Sequence, residues 1–419
     1  MVPAGQLGAE IADRIDELAR ISDEPGRLTR LYLGPAHRAA IDLVSSWMRE
    51  AGMAVRLDAT GTLIGRYEGA RPGAPALLIG SHIDTVRDAG RFDGNLGVIT
   101  GLAVVGRLHR TGTRLAHAIE VVAFGDEEGV RFPSTLGGSR ALAGRFDPRM
   151  LDEVDAGGVS RRQALTAFGC DPARLGEAAR LPGDALGYVE LHIEQGPVLE
   201  AENLPAGIVT AINGASRGTV VVSGVSGHAG TVPMAMRKDA LAAAAEMVLA
   251  VERRGAAEAD LAATVGRLEV ANAATNTVPG RVTFSLDVRS PSDARRKAAV
   301  GELEASIAAI ARARGVTAEV SFGYDAPAAP ADAGLSDQLA AAVARVGVPV
   351  RRMPSGAGHD AMAFGGVIPF AMLFVRCRGG ISHNPAEFVA PADIDVAARV
   401  LLDLITWEAP GPDRSPRGL

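Results

Sequence analysis

The chain has 419 residues, a formal net charge of −6 and two cysteines, Cys170 and Cys377. That length exceeds one ordinary domain and can bury at least one large core, while interspersed acids and bases leave no footprint for nucleic acid or an anionic membrane. No apolar run reaches spanning length, MVPAGQLGAEIADRIDELAR is not built like a secretory signal, and so few cysteines read as reduced thiols of a cytoplasmic protein.

Taken in chain order, Ile11, Ile15, Leu18 and Ile21 make one helical face, and Ile41, Val44 and Trp47 another. Strand-like runs follow at Val55–Leu57, Leu63–Tyr67, Leu77–Ile79, Ile119–Phe124 and Val189–Ile193, with an apolar helix at Leu96–Leu108. Continuous apolar strands between helices imply an α/β domain whose sheet is covered on both faces. The stretch Pro148–Asp184, rich in charge and Ala, tells little. From Asn213 the texture changes: a strand at Thr219–Ser223, a helix at Lys238–Arg253, and strands at Ala263–Val270 and Arg281–Arg289. A helix bearing Val300, Leu303, Ile307 and Ile310 and a strand at Ala318–Phe322 complete a β-α-β-β-α-β order, that of a ferredoxin-like module. Tyr324–Gly334 reads as the linker back, followed by a helix at Ser336–Val346 and a strand at Ala371–Arg376. The expected organisation is a catalytic domain (1–212 and 329–419) with a smaller domain (213–328) inserted in it.

Potential metal ligands sit at or beyond the ends of these apolar runs: His82 in GSHIDTV, Asp93 in GRFDGN, Glu128 in FGDEEGVRF, His192 in ELHIEQG and His383 in GGISHNPAEF, with Asp84 and Glu127 beside two of them. In helix-covered sheets, ligands gather at the carboxyl ends of strands. Three imidazoles mixed with hard, bridging-capable carboxylates match what two adjacent divalent cations need. Each motif has a plainer reading. His82 and Asp84 can be a buried pair, Asp93 a helix N-terminal acid, and Asp126–Glu128 a solvated loop. His37, His109 and His117 read as structural. A second cluster, His228 in SGHAGTVPM, Asn276 in NTVPG and Arg289 in SLDVRS, suits a carboxylate, which arginine binds bidentately. Cys377, near His383, leaves a thiol nucleophile open.

Together GSHIDTV, GRFDGN, DEEGVRF, ELHIEQGPVLE, GHAGTVPM, NTVPG, LDVRS, SGAGHDAM and GGISHNPAEF, in this order, resemble the amidase branch of the M20 family of dinuclear metallohydrolases. That resemblance implies a metallopeptidase-like catalytic domain with a mixed sheet and an inserted dimerisation domain. It also implies two divalent cations, Zn or Mn with Co or Ni as options. His82 and His192 would hold one, Glu128 and His383 the other, and Asp93 would bridge them. Glu127 would be the general base toward water activated between the cations, with Asp84 orienting His82. Asn276 and Arg289 would read the substrate carboxylate. Gln195 and His228 would contact a ureido group, His228 from the partner subunit of a homodimer and as an oxyanion donor; His359 would be a further active-site residue. The implied reaction is hydrolysis of a ureido C–N bond. DAGRFDGNLGV, VVAFGDEEGVRFP and AENLPAGIVTAI are most similar to members that act on allantoate; the alternatives are N-carbamoyl-L-amino acids or β-ureidopropionate and, more remotely, a binding protein that kept the fold.

Overall fold

A computed structural model of the chain describes residues 6–181 and 183–406; the first five residues of the N-terminal stretch lie outside that range. Two compact units result. One takes in the chain up to Thr210, residues 331–353 and the chain from His359 onward; the other is Ala211–Pro330 with Pro354–Gly358.

In the first unit, seven strands of a mixed sheet run in the spatial order Ala54–Leu57, Leu63–Tyr67, Ala118–Phe124, Ala76–His82, Ala185–Ile193, Phe370–Val375, Ala206–Ile212. The strand Ala76–His82 is buried at every position because it is paired in parallel on both sides and helices cover the faces. The helices Gln6–Leu18, Asn95–Arg110 and Pro391–Thr406 pack on one another. Ile11, Ile15 and Leu18 lie in the same core as Leu96, Leu102, Ile394 and Leu401. Sequence reasoning passed over Ala206–Ile212, which pairs antiparallel with Phe370–Val375; Gly207 and two alanines dilute its apolar signal.

The second unit is a four-strand antiparallel layer in the order Leu268–Val270, Arg281–Ser290, Gly214–Ser223, Thr317–Ala326, with Ala262–Thr264 also on Arg281–Ser290. Helices Ala240–Ala256 and Asp293–Arg314 pack on it over Val220, Val222, Val282, Phe284, Leu286 and Val288. This is the expected ferredoxin-like sandwich, with two departures. The run Ala263–Val270 is two short strands rather than one, and the supposed linker from Tyr324 begins as strand up to Ala326.

Candidate active site

Parallel pairing brings the ends of distant strands level. His82 is in register with Phe124, and His192 with Phe374, so the segments that follow all emerge at one edge of the sheet. His82 Nδ1–H donates to the carbonyl of Asp84 at 3.0 Å, and His192 Nδ1–H to that of Ile193 at 2.9 Å. Both rings are thereby fixed with Nε2 turned to Asp93 Oδ1, at 3.7 and 3.1 Å. The other oxygen, Asp93 Oδ2, lies 3.4 Å from His383 Nε2, which is 3.5 Å from Glu128 Oε2. Gly94 leaves room for this arrangement: a Cβ there would lie 2.5 Å from the His82 ring, and its φ is +67°.

The Asp84 carboxylate has backbone partners besides the His82 ring. It stands 3.7 Å from His82 Nδ1 and accepts the backbone N–H groups of Glu127 and Glu128 at 3.3 and 3.2 Å. Asp84 therefore orders the acidic loop, while its carbonyl sets the imidazole tautomer. Burial pushes the Glu127 carboxyl well above the usual range, reinforced by Glu128, Asp360 and Asp84 and opposed by His82. Burial beside Asp93 likewise raises Glu128 to about 8. Asp93 moves the other way. Its burial is outweighed by His192 and His82, which hold it well below the ordinary carboxylate range.

Ser81, Glu190, Ser382 and Glu387, which sequence reasoning missed, join Gln195 and His359, which it named, around the cluster. Ser382 Oγ and Gln195 Nε2 donate to Asp93 Oδ2 at 2.8 and 3.0 Å, so Gln195 serves the putting-in-place of Asp93 as well as any substrate. Glu387 Oε1 accepts from the N–H groups of Phe92 and Asp93 at 2.7 and 3.1 Å. Behind His192, buried Glu190 accepts from Ser81 Oγ and the N–H of Ala361 at 2.8 and 2.9 Å. His359, buried, stands edge-on to the His192 ring at 4.4 Å; burial and the neighbouring His192 push its pKa well below the usual imidazole range. Only segments that meet in the fold reveal Ser81 and Glu190, whereas Ser382 and Glu387 flank His383 closely in the sequence. Cys377 is fully buried, and burial raises its thiol to about 11, which disfavours a thiolate nucleophile.

The remaining expected residues belong to the second unit. His228 and Asn276 meet on a two-strand ribbon, where His228 pairs with Thr277 and the N–H of Ala229 donates to the Asn276 carbonyl at 2.8 Å. His228 Nδ1 accepts from the N–H of Gly230 at 3.1 Å, so the neutral ring carries its proton on Nε2. Arg289 grips Asp287 through Nε and Nη2 at 2.9 and 2.8 Å and reaches the Gly356 carbonyl at 2.8 Å. It lines a cavity of about 460 Å³ together with Arg217, Thr264 and Ser285.

The first-unit cluster fits divalent cations. Ligand atoms of His82, Asp93 and His192 lie within 4.8 Å of one another, as do those of Asp93, Glu128 and His383. Glu128 Oε1 is buried without a hydrogen-bond partner, which is costly unless a cation compensates it. Glu190, His192 and His359 form a further close group, but His192 has already committed Nδ1 to a carbonyl and offers one lone pair only.

Residues 78–407 match the model of peptidase family M20/M25/M40. Among similar proteins are "Allantoate deiminase 1" of Glycine max, 40% identical over 95% of this chain and 89% of that one, and "N-carbamoyl-L-amino acid amidohydrolase" of Geobacillus stearothermophilus, 40% identical over 96% and 98%. Among solved structures, a hydantoinase/carbamoylase family amidase from Burkholderia multivorans superposes with a TM-score of 0.89, at 35% identity over 95% of this chain and 97% of that one.

Proposed function

The chain belongs to peptidase family M20/M25/M40, and from that membership we propose that it is a metal-dependent amidohydrolase of small ureido carboxylates. Relatives named for ureido substrates at equal identity support a hydrolase of ureido C–N bonds. The observation that carries the metal-dependent reading is the division of Asp93, one oxygen toward His82 and His192, the other toward His383. A carboxylate shared in this way suits two cations, held by His82 and His192 on one side and by Glu128 and His383 on the other. Such cations, Zn²⁺ or Mn²⁺ with Co²⁺ or Ni²⁺ as options, would supply Lewis acidity toward the ureido carbonyl and toward water.

Glu127, beside the cluster but outside the ligand set, takes the proton of the attacking water and returns it to the departing nitrogen. His228 Nε2–H offers a hydrogen bond to the oxygen on which charge develops. Arg289, its fork aligned by Asp287, and Asn276 receive the carboxylate. Because His228, Asn276 and Arg289 belong to the second unit, the reading includes a homodimer in which His228 serves the partner's site, in the cytoplasm.

Allantoate is the first choice of substrate: water cleaves one ureido group to leave ureidoglycine, ammonia and carbon dioxide. N-carbamoyl-L-amino acids are the second, because relatives of both names match this chain equally. Metal-loaded protein offered each substrate in turn, with ammonia and the organic product followed, decides between them. Ammonia from allantoate with ureidoglycine formed is expected. Turnover of carbamoyl amino acids alone moves the assignment to the second choice, and no turnover of either removes the reading.

A further inference from the structure

The acidic loop is anchored from below by a residue that the reaction does not use. Asp126 precedes Glu127 and adopts φ +72°, a left-handed conformation that residues with a Cβ rarely hold without support. Its carbonyl accepts from the N–H of Leu136 at 2.7 Å, and its carboxylate pairs with Arg161, both side chains being wholly buried. The other end of the guanidinium donates to the Ser134 carbonyl and Glu153 Oε2, each at 3.0 Å. Its carbon lies 4.5 Å from the centre of the Phe132 ring. Gly137 keeps the space open, since a Cβ there would come within 3.0 Å of Asp126 Oδ2 and 3.2 Å of Arg161 Nη1.

Neither packing nor helix chemistry accounts for arginine at this position. Arg161 opens the helix Arg161–Ala167, which a Ser160–Gln163 capping box already starts, and a cation there opposes the helix dipole. A buried ion pair is weak evidence for stability, because apolar side chains of the same volume often serve as well. What the pair supplies is direction. The rigid fork holds Asp126, while Asp84 accepts the next two backbone N–H groups, so three consecutive residues are fixed from two sides.

Resting on the functional reading above, we propose that Arg161 is a positioning residue for Glu127 and Glu128, holding the left-handed turn from which both carboxylates reach the metal cluster.

The test uses the full chain as R161M/D126G, with R161K beside it. Removing Arg161 alone would strand a buried carboxylate; glycine at 126 removes that charge and accepts positive φ without strain. The expected result is a double variant that melts like the wild type while kcat falls about 10–100-fold, as when outer-shell partners are lost, with KM little changed. Titration calorimetry with Mn²⁺ should show one of the two sites weakened by about tenfold, and R161K should retain part of the kcat. A double variant with wild-type melting, wild-type kcat and both Mn²⁺ affinities intact overturns the proposal, and so does a kcat that falls only in step with stability. Failure of the functional reading shows separately, as wild-type protein that hydrolyses neither ureido substrate, with the Mn²⁺ titration still reporting on Arg161.

Discussion

Glu127 and Glu128 are adjacent in sequence yet differ in their neighbours. Glu128 Oε2 lies 3.5 Å from His383 Nε2, whereas Glu127 belongs to a close grouping with His82 and Glu128 and takes no part in the Asp93–His383 set. Replacing Glu127 by Gln keeps shape and removes the proton acceptor. Ammonia release should then fall about 10²–10⁴-fold while metal content stays at the wild-type level; retained turnover would rule Glu127 out as the base. His37 carries a different prediction. Burial, helped by Arg30, Arg38 and Arg131, lowers its pKa from 6.5 to about 3. The unfolded chain therefore binds this proton more readily than the native one. The stability that follows is fully present above pH 6.5 and is lost as pH falls from 6.5 toward 3, with a slope of about 1.4 kcal/mol per pH unit. Urea denaturation across that window should show the slope, and His37→Gln should flatten it by that amount.

At the level of elements, the sequence made the strand ends legible because apolar runs stop where chemistry begins, as at His82 and His192. It also carried the ferredoxin-like order through alternating and helical periods, although Val265–Arg267 interrupts a strand read as continuous. Asp84 was legible beside His82 but not in its hold on the acidic loop, since those partners lie 43 and 44 positions away. Arg161 was hidden for the same reason, in a stretch whose periodicity says little, and Glu387 reaches backbone 295 residues distant. That last contact fastens the His383 segment to the turn carrying Asp93. Glu387→Ala would leave two buried N–H groups without an acceptor, at about 1–3 kcal/mol each. Glu387→Gln, which keeps an oxygen there, should lose much less. Denaturation of metal-free protein measures both, and equal losses would refute the clamp.

For the whole molecule, His82, Asp93, Glu128, His192 and His383 belong to one compact unit together with Gln195 and His359, while His228, Asn276 and Arg289 belong to the other. That division makes the proposed dimer testable by complementation. E127Q and H228A should each be nearly inactive, but their mixture after subunit exchange should regain activity. One site of the heterodimer then carries both substitutions and the other carries none. If His228 served its own subunit, every site would keep one lesion and the mixture would stay inactive. The metal-dependent reading itself is tested most directly by stripping the protein with a chelator, restoring Mn²⁺ stepwise and following ammonia from allantoate. No turnover in the stripped protein, rising to a plateau at about two equivalents per chain, is the predicted result. Full turnover without metal would contradict it.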